Sequence, residues 1–301
     1  MKILRDTRSW QLRLRALALL SLSCGFATQV GAGQESMSLE HPVMMDSNGP
    51  GSELFVVDES GDLHELRVAQ DNLHEYSRAS LPHELTPADM TYAASGGQGS
   101  LLIAGTESGR GVVVNYSFDG RTLKTWSFRN ICSGIDFGQK TQSAYVATSD
   151  SNEIYRLDLK GAEITYVTHI ENATKLGPVA FDEAQQELYV ADVASGRIYQ
   201  YSISARTSKI LVSGLSAPTA LAYDGEASRL FVADPGRGGV FTVDPRSSNP
   251  LLAEFAAGSL KSPYGMTLIS NGRVAVADYG ANSAVVFSSK GEMLFRFPRS
   301  K

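Results

Sequence analysis

The fold is decided by the hexapeptide ELYVAD at residues 187–192, because variants of it recur along the whole chain. The other copies are ELFVVD (53–58), SLLIAG (100–105), SAYVAT (143–148), RLFVAD (229–234) and RVAVAD (273–278). Consecutive copies start 47, 43, 44, 42 and 44 residues apart. So regular a spacing indicates an internal repeat, and the repeat has to be recognised before single motifs are interpreted.

Each repeat contains four segments with the pattern of β-strands. The hexapeptides are short apolar runs followed by turn residues, which is typical of strands buried on both faces. An alternating segment follows, as in RIYQYSI (197–203) and EIYRLDL (153–159), and indicates a half-exposed strand. A third strand, such as KILV (209–212), comes next, and a small-residue strand, such as PTALAYD (218–224), opens the following unit.

Six units of four strands, each about 44 residues long, fill residues 42–297. This dimension predicts an all-β fold, a six-bladed β-propeller of four-stranded antiparallel blades. Ala, Gly and Thr in the first strand of each unit fit a hub where large side chains would collide. Because the chain starts with an inner strand at Pro42 and ends with an outer strand near Phe297, we expect the ring to close by packing alone, without a shared strand.

Residues 1–32 differ from the rest of the chain. Five basic residues precede an uncharged apolar run at 16–27, which predicts a signal peptide over 1–32 and the propeller over 33–301. The run is shorter than the roughly 20 residues that a membrane-spanning helix needs, so no transmembrane segment is predicted. The expected location is therefore periplasmic or secreted.

Removal of residues 1–32 would change the formal charge from −5 to −9, because five basic residues and one acidic residue leave together. An acidic protein without a Lys/Arg cluster repels phosphate backbones and anionic headgroups. The charge therefore argues against nucleic acid and membrane surfaces as partners. The expected partner is a protein or a small-molecule ligand at one face of a monomeric propeller.

The chain has two cysteines, and only Cys132 lies outside the predicted signal peptide. Cys24 follows Ser21, Leu22 and Ser23, which is similar to the cleavage site of bacterial lipoproteins. Lipidation at Cys24 is therefore an alternative to ordinary signal cleavage. Cys132 has no activating His or Asp placed by the sequence, so it is interpreted as a buried structural thiol.

Two stretches carry a family resemblance. Residues 263–287 (PYGMTLISNGRVAVADYGANSAVVF) resemble the NHL repeat, and residues 187–203 (ELYVADVASGRIYQYSI) resemble both NHL and SMP-30/gluconolactonase-like propellers. The resemblance covers all six units and implies the same six-bladed fold. These families include lactonases, lyases and binding scaffolds, so the resemblance leaves open whether this chain is an enzyme.

The resemblance to SMP-30 also implies a place for one divalent cation on the propeller axis. Enzymes of that family hold it with a Glu and with Asn or Asp residues at the starts of inner strands. Glu40 matches the glutamate, but the other matching positions carry Ser133, Gly177, Thr219 and Tyr264. A hard cation such as Ca²⁺ prefers about six oxygen ligands. No cofactor is therefore predicted, and one axial Ca²⁺ or Zn²⁺ ion held by Glu40 remains the alternative.

The starts of the inner strands are the positions that the fold brings together from every blade, so they form the predicted ligand site. Its candidate residues are Glu40, His41, Ser133, Thr219 and Tyr264. The first hypothesis is a non-catalytic binding scaffold. The alternative is a metal-dependent lactonase or lyase with a degenerate metal site, in which Glu40 holds the cation and His41 or Tyr264 transfers protons.

Four of the hexapeptides end in Asp, at positions 58, 192, 234 and 278. Such a ring of carboxylates could be taken for a catalytic or metal-binding set. An Asp side chain at the end of a strand commonly accepts hydrogen bonds from turn amides. The prediction is therefore that these four residues cap turns.

Overall fold

The computed structural model describes residues 39–49, 53–69, 72–95 and 98–298. They form six four-stranded antiparallel sheets, and each sheet consists of four strands that are consecutive in the chain. The predicted six-bladed β-propeller is therefore confirmed. The predicted signal peptide and Cys24 lie outside the described residues.

The first three blades contain twelve strands. Blade 1 consists of β1 (Pro42–Ser47), β2 (Glu53–Asp58), β3 (Asp62–Ala69) and β4 (Asn72–Ser80). Blade 2 consists of β5 (Leu85–Ser95), β6 (Gln98–Glu107), β7 (Arg110–Tyr116) and β8 (Thr122–Phe128). Blade 3 consists of β9 (Cys132–Gly138), β10 (Ser143–Thr148), β11 (Glu153–Asp158) and β12 (Glu163–His169).

The second three blades repeat this plan. Blade 4 consists of β13 (Leu176–Asp182), β14 (Glu187–Asp192), β15 (Arg197–Ser202) and β16 (Thr207–Ser213). Blade 5 consists of β17 (Ala220–Asp224), β18 (Arg229–Asp234), β19 (Gly239–Val243) and β20 (Ala253–Phe255). Blade 6 consists of β21 (Pro263–Ile269), β22 (Arg273–Asp278), β23 (Ser283–Phe287) and β24 (Met293–Phe297). Short 3-10 segments lie at Pro235–Arg237, Ser270–Gly272 and Tyr279–Ala281.

The hydrophobic core is divided into six clusters, one between each pair of neighbouring blades. Side chains of a strand alternate between its two faces, so each second strand contributes to two clusters. In β2, Leu54 and Val56 pack towards blade 6, whereas Phe55 and Val57 pack towards blade 2. This explains why the repeated hexapeptides are apolar at nearly every position.

The ring closes between blades 6 and 1 without a shared strand, as expected. Met45 of blade 1 packs with Ala275 of blade 6 in the same core cluster. The Ser47 hydroxyl donates to the Leu268 carbonyl at 2.7 Å. Closure therefore depends on side-chain packing and side-chain hydrogen bonds.

The expectation that small residues occupy the hub is confirmed at the inner strands. A Cβ atom at Gly134 would lie 2.1 Å from the carbonyl oxygen of Gly177 in the next blade. A Cβ atom at Gly265 would lie 2.7 Å from the backbone nitrogen of Met45. Glycine is required at these two positions because adjacent inner strands approach closely.

No helix in the described part of the chain is long and apolar enough to cross a membrane.

Candidate functional site

The face at which the inner strands begin, here called the mouth face, contains a cavity of about 710 Å³. Residues from all six blades line it, and this mouth cavity falls within the size range of small-molecule sites. Of the predicted ligand-binding residues, Ser133, Thr219 and Tyr264 line the cavity, whereas Glu40 and His41 do not. The structure therefore brings three of the five candidates together.

The hydroxyl groups of two of these residues join neighbouring blades. Ser133 donates from Oγ to the Leu176 carbonyl at 2.9 Å, which links blade 3 to blade 4. Thr219 donates from Oγ1 to the Tyr264 carbonyl at 2.8 Å, which links blade 5 to blade 6. Both side chains thus hold the hub together.

Three aromatic rings pack in a row at the boundary between blades 6 and 1, and they are called the stack here although its second pair is tilted. Tyr279, just after β22, has its ring centroid 4.4 Å from that of His41 and 4.9 Å from that of Tyr264. The His41 Nδ1 atom lies 3.1 Å from the Tyr279 carbonyl. His41 therefore supports the stack from outside the cavity, and Tyr264 is the ring that lines the cavity.

The stack ends at the carboxylate of Glu59, which follows β2 and also lines the mouth cavity. The Tyr279 hydroxyl donates to Glu59 Oε2 at 3.0 Å. The backbone amide of Glu59 donates to the His41 carbonyl at 3.1 Å, so the position of the carboxylate is fixed at its base. Glu59 and Glu40 are both exposed, but only Glu59 lines the cavity.

A lysine from the opposite side of the ring also lines the mouth cavity. Lys175 precedes β13 in blade 4, which lies across the axis from blade 1 in a ring of six. Its amide donates to Asp192 Oδ1 at 3.0 Å, and its carbonyl accepts from the Val193 amide at 2.9 Å. The Lys175 side chain is exposed, while these two hydrogen bonds fix the backbone that carries it.

A second cavity, of about 440 Å³, lies along the axis towards the far face, where the inner strands end. Asp46 of β1, Asp89 of β5 and Asp136 of β9 line this channel cavity. Asp46 accepts the backbone amide of Tyr92, a residue in the next blade. Asp89 likewise accepts from the Ile135 amide at 3.0 Å. These hub aspartates therefore connect inner strands of neighbouring blades.

Asp136 repeats the arrangement and accepts from the Phe181 amide of blade 4 at 2.7 Å. Burial raises its pKa to about 7, although backbone hydrogen bonds and the Thr91 hydroxyl oppose the shift. Burial also raises the pKa of Asp46 and, to a greater extent, that of Asp89. Repulsion among the three carboxylates adds to the rise for Asp89 and Asp136.

The hub aspartates lie outside the predicted site, which comprised only the starts of the inner strands. One sequence signal could have found them. Asp is depleted in strands, yet it occurs inside three of the six small-residue strands. An Asp before the last residue of an inner strand therefore signals that a backbone group of the next blade needs a partner, whereas Asp182 and Asp224 at strand ends accept amides of the following turn.

The strand-end aspartates cap turns, as predicted. Asp234 accepts from the amides of Ser216 and Ala217 at 2.7 and 2.9 Å. Asp192 and Asp278 receive the equivalent pairs of amides from the loops that precede β13 and β21. In blades 4–6 these carboxylates therefore hold the mouth loop of their own blade.

Asp58 of blade 1 also caps a turn, because its Oδ1 atom accepts from the amides of Ser60 and Asp62, and it has a further partner. Its Oδ2 atom lies 3.0 Å from Nε2 of His64, and Nδ1 of His64 lies 2.7 Å from Glu75 Oε1. Burial lowers the pKa of His64, but hydrogen bonds to the two carboxylates outweigh burial and raise it to about 9. Burial raises the pKa of Asp58, and bonds from His64 and Ser60 reverse this, to about 2. The result is a buried ionic triad.

Cys132 is buried and free, which agrees with its interpretation as a structural thiol. Burial raises the pKa of this thiol to about 12, so the reactive thiolate is scarce at neutral pH.

Within residues 39–49, 53–69, 72–95 and 98–298, no three His, Cys, Asp or Glu side chains are arranged so that they could hold a metal ion.

Fold and site together define this protein as a six-bladed β-propeller with a cavity at the axial mouth, built from residues of every blade. No family model matches the chain, and no curated protein matches it. The resemblance to NHL and SMP-30 propellers is thus supported for the fold, while membership of that family is not shown.

Solved structures are similar to the chain in fold. A chain in a nidogen/laminin complex has a TM-score of 0.63 at 14% identity, over 79% of this chain and 90% of that one. Virginiamycin B lyase from Staphylococcus aureus has a TM-score of 0.59 at 14% identity, over 88% of each chain. A catalytically inactive form of that lyase with quinupristin has the same TM-score at 12% identity, over 87% of each chain. At these identities the likeness shows the fold alone.

Proposed function

We propose that this protein is a non-catalytic binding propeller whose ligand occupies the mouth cavity. The proposal rests on one observation: some side chains that line the cavity are already engaged in holding the fold together, and the others are free to contact a ligand. The hydroxyls of Ser133 and Thr219 hold blades together, and Cys132 is a buried, protonated thiol. Glu59, Lys175 and Tyr264 remain as groups suited to recognition, in a cavity large enough for a small molecule or a protruding peptide.

The alternative, a metal-dependent lactonase or lyase, has less support. It needs Glu40 as a metal ligand and His41 or Tyr264 as a proton-transfer group. Glu40 is exposed outside the mouth cavity, and the Nδ1 atom of His41 faces a backbone carbonyl. The lyase among the structural neighbours keeps this hypothesis open for testing.

The proposal extends to location and partners. The predicted signal peptide supports a periplasmic or secreted protein, and Cys24 supports lipid anchoring as its alternative. The neighbour solved in a nidogen/laminin complex is a propeller fold found in a protein assembly, which supports a protein partner. Loops gathered at the mouth face would carry such an interaction.

The binding proposal is tested by screening the purified mature protein against a fragment library with ligand-observed NMR. Tyr264→Ala removes the aromatic wall of the mouth cavity, and Tyr76→Ala removes an exposed outer-strand tyrosine as the matched control. Hits that disappear with Tyr264→Ala and persist with Tyr76→Ala support the proposal. Hits that persist with both variants place binding elsewhere and contradict it.

The enzyme alternative is tested by metal analysis of the same preparation, with and without Glu40→Gln. One tightly bound cation per chain that is lost in the variant would support the metal-dependent enzyme. A cation content that Glu40→Gln does not change would remove the role assigned to Glu40.

A further inference from the structure

The mouth cavity carries a negative charge on one side and a positive charge on the other, supplied by different blades. Its ionisable lining residues are Asp58, Glu59, His83, Cys132, Lys175 and Tyr264. Asp58 is paired with His64 inside blade 1, and the Cys132 thiol is protonated. Among these residues the formal charges left facing solvent are the carboxylate of Glu59 and the ammonium of Lys175.

These two charges lie across the mouth from each other. Glu59 belongs to blade 1 and Lys175 introduces blade 4, and two blades lie between them in either direction around the ring. Neither side chain forms an ion pair with any other described residue within 4.0 Å. Both are therefore available to a ligand.

The side of Glu59 is suited to a cation. Tyr264 also lines the cavity, and Tyr279 connects it to Glu59, because the Tyr279 ring packs against that of Tyr264 at a tilt and its hydroxyl donates to the carboxylate. An ammonium group is attracted both by the negative face of an aromatic ring and by a carboxylate. This corner would select an amine over a neutral group.

The side of Lys175 is suited to an anion. Asp192 and Val193 hold its backbone, so its ammonium group is presented from a fixed base. A ligand that carried only positive charge would be repelled here, and one that carried only negative charge would be repelled by Glu59. Complementarity at both sides requires opposite charges at the two ends of the ligand.

We infer that the ligand of the mouth cavity is a zwitterion, with an amine at its Glu59–Tyr264 end and a carboxylate at its Lys175 end. This inference rests on the proposed function. Peptides with free termini have this chemistry, and they are the probes that test it.

The experiment measures the dissociation constants of alanine peptides of graded length by isothermal titration calorimetry. Each length is used in four forms, namely with free termini, N-acetylated, C-amidated and capped at both ends. For the length that spans the mouth, each single cap should weaken binding by roughly 3- to 10-fold, since each removes one exposed charge interaction.

Two variants assign the ends. In Glu59→Gln the penalty of N-acetylation should disappear while that of C-amidation persists, and Lys175→Gln should show the reverse. This loss of selectivity cannot arise from misfolding. Glu226→Gln and Lys290→Gln, exposed changes in loops of the far face, are the matched controls and should leave both penalties intact. His83→Gln should also leave them intact.

The possible results distinguish failure of the zwitterion inference from failure of the proposed binding function. Four forms that bind equally, but more weakly to Tyr264→Ala, would overturn the zwitterion and keep a binding function at the mouth. Absence of binding by every form would overturn the zwitterion, while the fragment screen decides the function. Binding that none of the Glu59, Lys175 and Tyr264 variants changes would overturn both.

Discussion

Blades 1–3 and blades 4–6 use different carboxylates to hold the inner ring: an Asp of the inner strand in the first three blades, and an Asp that binds the loop before the inner strand in the last three. In blades 1–3 an Asp of the inner strand accepts an amide from the next blade, as Asp136 does from Phe181. In blades 4–6 the Asp at the end of the second strand accepts amides from the loop of its own blade, as Asp234 does from Ser216. The position of Asp136 in its strand is occupied by Ala180 and Ala222 in blades 4 and 5.

One repeat can therefore satisfy its buried backbone groups in two ways. A carboxylate at the hub connects blades, whereas a carboxylate at the strand end fixes the rim of the mouth. A buried amide left without a partner costs free energy comparable to a lost hydrogen bond, so each device is expected to matter for stability. Removal of the hub carboxylate should weaken the contact between blades, whereas removal of the strand-end carboxylate should loosen a loop at the rim of the mouth.

The largest effect is expected for Asp234→Ala. Three amides, those of Ser216, Ala217 and Arg237, would lose their buried acceptor, and the free energy of unfolding should fall by about 3 kcal/mol. Urea denaturation measures the change. Asp244→Ala in the same blade is the control, because Asp244 is exposed and accepts one amide, from Arg246, and it should cost less than about 1 kcal/mol. Equal costs would contradict the importance of the strand-end device.

A somewhat smaller effect is expected for Asp136→Ala, which leaves the Phe181 amide without its acceptor. The free energy of unfolding should fall by about 2 kcal/mol. Asp136→Asn keeps an acceptor oxygen and should cost less than half as much at neutral pH. Urea denaturation of both variants checks this, and a larger loss for Asn than for Ala would show that the hydrogen bond is not the source of stability.

The triad of blade 1 should make the free energy of unfolding fall as the pH rises into the alkaline range. The pKa of His64 is about 9 in the folded protein, against 6.5 for the ordinary side chain. Its contribution is therefore fully present below pH 6.5 and is lost as pH rises through 9. The wild type should lose roughly 2 kcal/mol more than His64→Gln between these values, as measured by urea denaturation at each pH. Parallel pH profiles would contradict a charged His64.

A second pH dependence of stability concerns Asp136. Its pKa is about 7 when folded and 3.8 ordinarily, so the folded state binds more protons between these values. The wild type is then destabilised as pH rises from about 4 to 7. Asn does not titrate, so the unfolding free energy of Asp136→Asn should rise by roughly 3 kcal/mol relative to the wild type over that range. A difference between the two proteins that stays constant from pH 4 to 7 would contradict a raised pKa of Asp136 in the folded state.

The repeat predicted the fold because hexapeptide spacing and strand alternation are local properties of the sequence. The mouth position of Tyr264 followed from the same register, and so did the capping role of Asp234. Glu59 and Lys175 could not be found in this way. They lie in loops, and hydrogen bonds fix their positions at the cavity. The Glu59 amide donates to the His41 carbonyl, and the Lys175 amide donates to Asp192, and neither partner is close in sequence.

The hub aspartates were missed for a related reason. Their partners, such as Ile135 for Asp89, are 45 or 46 residues away and belong to the neighbouring blade. A sequence pattern that describes one blade at a time contains no information on which amide of the next blade lacks a partner. Only the assembled ring shows why a charged residue stands in a strand of small ones.

Closure without a shared strand has a consequence for the order of folding. Each blade is a continuous segment, so its sheet can form from contacts that are local in the chain. The seam between blades 6 and 1 joins residues 221 positions apart, as in Ser47 and Leu268. Contacts of such long range carry the highest cost in chain entropy and form late. Blade 1 therefore keeps one apolar face uncovered until the last blade has been made, and the mouth cavity becomes complete only at that final step.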